Sequence, residues 1–273
     1  MKKLSISFFG APDFAARVLK KIITDLSDKV TVNSVFTQPD RPAGRKQILT
    51  PTPVKLLAQK HNIPVFFDFQ PTTKHQPLKD IDLVLLYAYG SLLPADILKI
   101  PRWGFWNIHP SLLPQYRGTS PIVYSLLMGD TKTGVSLMEM DERMDHGPII
   151  DQTEYAIQPT DMQETLKKRL SDIGYELFKK NVQLLLDGAL QKKEQDHKNR
   201  TFTRLLTKQD GYIPFPIVQK ILKGEALTNA EIPSIIAEYN KKYPPLTTNH
   251  QLPTTNYLLQ PFSGFQSLAG ALD

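Results

Sequence analysis

Apolar runs of strand length alternate with amphipathic runs of helical spacing through the first two thirds of the chain. This alternation is typical of a mostly parallel, twisted β-sheet with helices on both faces, an α/β fold. The candidate strands are Ser5–Phe9, Thr31–Thr37, Pro64–Phe67, Leu83–Tyr87, Gly104–His109 and Gly134–Met140, with Ile149–Tyr155 as an antiparallel partner of the last. The candidate helices are Asp13–Leu26, Pro53–His61, Pro94–Leu98 and Pro121–Leu127, and a long one that Thr160 caps and that runs to about Leu186.

Length and composition place the chain among ordinary globular proteins. Its 273 residues, 41% hydrophobic and 22% charged, suit one large domain and a small one. The segment 191–198 is charged and has no apolar periodicity, as expected of a linker. We therefore predict a catalytic domain over residues 1–190, a linker over 191–210, and a reduced or remodelled C-terminal domain over 211–273.

Charge and cysteine content restrict the types of site, the compartment and the partners that the chain can have. The chain has no cysteine, which excludes disulfides, thiolate metal sites and cysteine nucleophiles. Acidic and basic residues at Asp13 and Arg17 end the first apolar run far short of an export or spanning segment. We expect a cytoplasmic monomer without membrane attachment. The formal net charge of +6 is compatible with a phosphate-bearing partner and does not by itself require one.

The residue types needed to stabilise an oxyanion and to move a proton occur together in one stretch. Asn107 and His109 are two positions apart at the end of an apolar run, so on a strand both side chains leave the same face. An amide N–H and an imidazole aimed at one point can stabilise an oxyanion and move a proton. Asp145, from a separate loop, could orient the imidazole. Taken singly, each residue also fits a structural role in a turn or a strand end.

Around these residues the sequence reads Asn-Ile-His, then Ser-Leu-Leu-Pro from Ser111 to Pro114, and later Asp145. This combination resembles the formyltransferase family that uses 10-formyltetrahydrofolate. The resemblance covers roughly residues 1–211. It implies a Rossmann-like sheet, 10-formyltetrahydrofolate as co-substrate, no metal, and Asn107, His109 and Asp145 as the catalytic residues.

Two further segments resemble the family's folate pocket. One is the strand end and turn at residues 85–94, with Tyr89, Gly90 and Leu93, where apolar walls and exposed backbone suit a flat heteroaromatic ring. The other is the turn Ser111, Leu112, Leu113 and Pro114. Without the resemblance, these segments would be an ordinary strand-to-helix junction and a polar strand exit.

The resemblance also bears on the acceptor. The loop from Phe36 to Lys46 resembles the one that tRNA-acting members place beside the acceptor stem, and it presents Arg41, Arg45 and Lys46 for phosphate contacts. The alternative for this loop is a solvated basic turn. The implied acceptor is the free amino group of methionyl initiator tRNA.

The end of the chain departs from the family pattern. Residues 206–213 resemble the start of the family's C-terminal domain, but the proline- and tryptophan-containing helix that normally follows is missing. Three alternatives therefore stay open: N-formylation of an amino-sugar nucleotide, hydrolysis of the formyl donor, and a non-catalytic relative that binds RNA or folate.

Overall fold

A seven-stranded sheet forms the centre of the protein. The computed structural model describes residues 3–67, 78–91 and 93–206. The strands of the sheet are β1 (Leu4–Phe9), β2 (Val30–Thr37), β5 (Val65–Phe67), β6 (Leu83–Leu86), β7 (Phe105–His109), β9 (Lys132–Glu139) and β10 (Ile149–Ala156). Their order across the sheet is β10-β9-β7-β6-β1-β2-β5. Strands β7, β6, β1, β2 and β5 are mutually parallel, which confirms the predicted α/β architecture.

Strand β9 differs from the prediction, because it runs antiparallel to β7 as well as to β10. The connection from β7 to β9 contains β8 (Arg117–Gly118) and the short helix α3 (Pro121–Leu127). A helix of that length advances only about 10 Å, whereas a parallel crossover must carry the chain back along a whole strand. The chain therefore enters β9 from the end at which β7 finished.

The two faces of the sheet bury different residues of the same strands. Ile6, Phe8, Leu83, Leu85 and Trp106 pack with the helices α1 (Asp13–Asp25), α2 (Pro53–Lys60), α3 and α4 (Gln163–Leu186). Their sequence neighbours on the other face pack with the 3-10 helix Ala95–Lys99; they include Phe9, Val84, Leu86 and Phe105. Because both faces of these strands are buried, their sequences read as continuous apolar runs and not as alternating ones.

Two helical predictions need correction. The segment predicted as a helix over Pro94–Leu98 is a 3-10 helix over Ala95–Lys99. The long helix begins at Gln163 after Met162, not after Thr160. The preceding turn is held by Asp161, whose carboxylate accepts hydrogen bonds from the Tyr155 hydroxyl at 2.8 Å and the Gln158 N–H at 2.9 Å. Thr165 then accepts from the Met162 N–H at 2.8 Å.

The predicted basic loop contains a β-hairpin. β3 (Arg41–Ala43) pairs antiparallel with β4 (Ile48–Thr50) as a separate two-stranded sheet, and Gly44 supplies the positive φ of 67° that the turn requires. The hairpin follows β2 and precedes α2, so it stands beyond the carboxyl end of a sheet strand.

The segment predicted as a linker packs, as far as residue 206, on the sheet domain. Lys193 exchanges backbone hydrogen bonds of 2.8 Å with Ile149, and β11 (Phe202–Thr203) pairs parallel with β8. The predicted C-terminal domain at 211–273 lies outside the described residues, and the domain boundaries stay predictions. No helix within the described part of the chain is long and apolar enough to cross a bilayer.

Candidate active site

The three predicted catalytic residues lie together at the carboxyl end of β7. Asn107 and His109 are buried there, and Asp145 reaches them from the loop between β9 and β10. The Asn107 amide nitrogen lies 3.3 Å from Asp145 Oδ1, and the His109 Nδ1 lies 3.6 Å from the same oxygen. Because Trp106 and Ile108 occupy the helix-covered face, the strand's alternation sends the amide and the imidazole to the opposite face.

The second nitrogen of His109 fixes the orientation of the ring. Nε2 lies 2.9 Å from the carbonyl oxygen of Tyr116, and a carbonyl can only accept, so Nε2 carries a proton and donates. Nδ1 is then the nitrogen that faces Asp145. Tyr116 is itself held in a left-handed conformation, with φ 57°, while its N–H donates to Thr201 Oγ1 at 2.7 Å.

The carboxylate of Asp145 is fixed from both sides. Oδ1 faces Asn107 and His109, and Oδ2 accepts a hydrogen bond of 2.7 Å from the N–H of Gly118. Gly118 has φ 108°, and a Cβ at this position would clash with the carbonyl of Thr203 in β11. Only glycine therefore lets β8 approach β11 while turning its N–H toward Asp145.

A polar cluster that the sequence did not indicate lies behind Asp145. Arg117 is only 2% exposed, and its Nη2 donates to Gln195 Oε1 at 2.7 Å and to His197 Nδ1 at 2.8 Å. Burial lowers the pKa of Arg117, and nearby Arg200 lowers it further. His197 stacks on His146 with ring centroids 4.0 Å apart. Desolvation and then the neighbouring His146 lower the pKa of His197.

These contacts join residues about 80 positions apart in the chain, and no short motif connects them. His146 is partly buried, and its Nδ1 lies 2.6 Å from Asp141 Oδ2. Asp141 also accepts from the Arg143 N–H at 2.9 Å, so it shapes the loop.

The residues predicted to bind folate border the same edge of the sheet. Tyr89 is buried, with its ring 5.1 Å from that of Phe9, and its carbonyl accepts from Gln38 Nε2 at 3.0 Å. Gly90 has φ 80° and open space where a side chain would point. Leu93 is partly buried against the Phe9 side of the sheet.

The second predicted folate segment is the turn after β7. The Ser111 hydroxyl donates to the Gln115 carbonyl at 2.6 Å, so this side chain holds the turn itself. The Leu113 N–H donates to Ser136 Oγ at 3.0 Å, which ties the turn to β9. Leu112 and Pro114 are each partly exposed beside it.

The three cations predicted to contact RNA all lie on or within the exposed β3–β4 hairpin. Arg41, Arg45 and Lys46 are exposed, and Arg41 Nη2 donates to Gln38 Oε1 at 3.0 Å. Gln38 also donates to the Tyr89 carbonyl, so one side chain links the hairpin to the predicted folate segment. Within the described residues, no cluster of three histidine or acidic side chains is placed to hold a metal ion.

Comparison with known families gives the family to which the chain belongs. The family model described as Formyl transferase matches residues 2–182. The chain belongs to the formyl transferase family. The match contains Asn107, His109 and Asp145, whereas Gln195 and His197 lie beyond it.

Relatives and solved structures agree with this assignment. Methionyl-tRNA formyltransferases from Bacillus cytotoxicus and Bacillus thuringiensis are 36% identical over 245 residues, or 82% of this chain and 77% of theirs. The structure of phosphoribosylglycinamide formyltransferase from Bacillus halodurans matches with a TM-score of 0.55 and 28% identity, covering 68% of this formyl transferase and 96% of that chain. An N-formyltransferase from Helicobacter canadensis, in complex with folinic acid and dTDP-3-aminofucose, matches with a TM-score of 0.56 and 23% identity, covering 77% and 72%. At that identity the last likeness concerns the fold alone.

Proposed function

We propose that this formyl transferase moves the formyl group of 10-formyltetrahydrofolate to the amino group of methionyl initiator tRNA. The observation that carries the proposal is the convergence of Asn107, His109 and Asp145 at one edge of a formyl transferase sheet. The 36% identity to methionyl-tRNA formyltransferases, over most of both chains, supports the choice of acceptor.

In the proposed reaction the neutral amine attacks the formyl carbon. A bond forms between the amine nitrogen and that carbon, the oxygen becomes an oxyanion, and the bond from carbon to the folate nitrogen then breaks. The amine's proton ends on the folate nitrogen. Asn107 keeps a second amide hydrogen beyond the one directed at Asp145, and this hydrogen is free to stabilise the oxyanion.

His109 transfers the proton from the amine to the folate nitrogen. Its Nε2 proton is held by the Tyr116 carbonyl, so Nδ1 is the nitrogen that can accept and return a proton. Asp145 Oδ1, 3.6 Å from Nδ1, stabilises the imidazolium that results. Asp145 can do this without moving, because Gly118 fixes its other oxygen.

For the donor, we propose a pocket between Tyr89, Gly90 and Leu93 on one side and the turn from Ser111 to Pro114 on the other. Both segments follow adjacent parallel strands, β6 and β7, and so leave the sheet at the same edge. The positive φ of Gly90, with open space beyond it, allows a ring to approach the backbone closely. The apolar wall of this proposed folate pocket comes from Leu112, Leu113 and Pro114.

For the acceptor, we propose that Arg41, Arg45 and Lys46 contact the phosphates of the tRNA. Three exposed cations on one hairpin can reach successive phosphates of a stem, and a small amine needs none of them. We further propose that the protein acts as a monomer in the cytoplasm, without membrane attachment.

The proposal is tested by comparing acceptors under identical conditions. Initial rates with 10-formyltetrahydrofolate are measured for charged initiator tRNA, for an amino-sugar nucleotide and without acceptor. Transfer to tRNA, lowered ~10²-fold or more but still measurable with Asp145→Asn, is the expected result. Transfer to the sugar alone would replace tRNA with the amino-sugar acceptor. Loss of the formyl group without acceptor would indicate hydrolysis, and folate or RNA binding without turnover would indicate a non-catalytic protein.

A further inference from the structure

The loop that carries Asp145 is held by a segment that lies about 50 residues further along the chain. Asp145 has φ 47°, a left-handed conformation that non-glycine residues rarely adopt. Such a conformation persists only where the surroundings determine it. The surroundings are supplied by residues 193–203, within the stretch that the charge pattern predicts to be a linker.

Gln195 makes the central contacts of this segment. Its Nε2 donates to the carbonyl of Asp145 at 2.9 Å and to the carbonyl of Gly147 at 2.7 Å, on either side of His146. Its Oε1 accepts from Arg117 Nη2 at 2.7 Å. Gln195 is 5% exposed, and its backbone is anchored by the neighbouring pairing of Lys193 with Ile149.

An amide is the side chain that these contacts require. Two hydrogens of one nitrogen go to two backbone carbonyls, and the oxygen faces a guanidinium, which has only donors. A glutamate at this position would keep the acceptor for Arg117 and lose both donors. A methionine would keep the length of the side chain and lose all three hydrogen bonds.

Two of the contacts that hold Asp145 therefore depend on this segment. Gln195 fixes the main chain of Asp145, and the pairing of β11 with β8 fixes the Gly118 N–H that holds Oδ2. We infer that Gln195, supported by Arg117, is a positioning residue that sets Asp145 against His109. The inference rests on the proposed function, in which Asp145 acts through His109.

The test is a double-mutant cycle between Gln195 and Asp145, measured as kcat and KM with charged initiator tRNA and 10-formyltetrahydrofolate. Gln195→Glu should lower kcat about 10-fold or more and leave the KM for the folate within about twofold, since the two missing donors do not touch either substrate. On the Asp145→Asn background, the same change should lower kcat by no more than about twofold. Gln183→Glu, the same substitution at a partly exposed position of α4 whose amide donates to Asp187, should leave both constants unchanged.

The second variant, Gln195→Met, introduces no buried charge and should reproduce the result of Gln195→Glu, with a cooperative thermal melt. Gln195 variants with parental kcat would overturn the inference. The inference would also be overturned if the Gln195 variants lowered kcat by the same factor with and without Asp145→Asn. A residue that only supports the fold would lower kcat by a factor that does not depend on Asp145. If Asp145→Asn itself keeps the parental kcat, the proposed function fails instead, which separates the two failures.

Discussion

At the scale of single residues, the central feature of the proposed site is the buried amide of Asn107 beside Asp145. Asn107 is 7% exposed, and its amide nitrogen is one of two groups directed at Asp145 Oδ1. Because Asn107 is buried, bulk water does not readily supply the hydrogen bond that is lost when this amide is removed. In the proposed reaction, this amide stabilises the oxyanion of the transition state more than it stabilises the bound substrate.

Replacing Asn107 by alanine should lower kcat by ~10²-fold or more, the usual scale for losing one oxyanion donor. Folate affinity, measured by calorimetry, should change by less than about threefold, because binding of the ground state does not depend on a transition-state interaction. Asn33→Ala removes an exposed amide on β2 and serves as the control. Near-normal turnover of Asn107→Ala at saturating substrate would remove Asn107 from the catalytic set.

Gly90 offers a test of the donor pocket. Gly90 and Gly188 both have positive φ, 80° and 69°, and open space at the Cβ position. Alanine at either position should cost about 1 kcal/mol of stability through backbone strain. Only Gly90→Ala should also weaken folate binding, which calorimetry can measure. Equal folate affinities for the two variants would place the ring elsewhere.

At the scale of secondary-structure elements, strand β10 is fastened to helix α4 by one carboxylate. Asp151 Oδ2 lies 2.9 Å from Lys180 Nζ and 2.9 Å from Asn181 Nδ2. Burial opposes ionisation of Asp151, but the hydrogen bonds from Lys180, Asn181 and the Gln152 N–H outweigh it, so the pKa of Asp151 is lowered. The charged form is thus the one that the folded state prefers.

The stability effect of Asp151→Asn should therefore depend on pH. A lowered folded-state pKa stabilises the protein above the unfolded-state value of about 3.9, and the contribution disappears as pH falls through the folded-state pKa. We expect a loss of about 1–2 kcal/mol at pH 7 and a smaller loss at pH 3, measured by urea unfolding. Glu154→Gln changes an exposed ion pair on the same strand and should cost less than about 0.5 kcal/mol at either pH. A pH-independent loss for Asp151→Asn would contradict the electrostatic account.

Elements with a strong repeating pattern were predictable from sequence, and elements set by distant contacts were not. Strands β1, β6 and β7 are visible in the sequence because burial on both faces makes each a continuous apolar run, and helix α1 is visible because burial on one stripe imposes a helical period. Asn107 and His109 follow from the same strand parity. The start of α4 at Gln163 depends on Asp161 side-chain bonds, and the position of Gln195 depends on a guanidinium 78 residues away. No local signal encodes such contacts.

At the scale of the whole molecule, the positive charge is distributed between the hairpin and the helices. The formal net charge is +6, and Arg41, Arg45 and Lys46 all lie on or within the hairpin beside the catalytic edge. Cations on the helical face, such as Lys20, Lys168 and Lys179, are exposed on α1 and α4. Salt dependence can therefore distinguish local phosphate binding from the effect of net charge.

Replacing Arg41, Arg45 and Lys46 together by alanine should raise the KM for charged initiator tRNA. It should also flatten the dependence of kcat/KM on salt, by a logarithmic slope of about one for each phosphate that the hairpin no longer neutralises. The matched control replaces Lys20, Lys168 and Lys179, which lowers the net charge equally. Salt titrations of the initial rate measure both variants. Curves for the hairpin variant that superimpose on the parent would show that this hairpin does not bind the RNA.

The pairing of β11 with β8 has a consequence for synthesis on the ribosome. The seven strands of the sheet leave the exit tunnel before β11, and they can pair once β9 and β10 have appeared, since domains fold as their sequence emerges. The Gly118 N–H and the Gln195 amide reach Asp145 only after residues 195–203 have followed. The loop that carries Asp145 is therefore not held in place until residues 195–203 have been translated, and the last described strand to be translated completes the proposed active site.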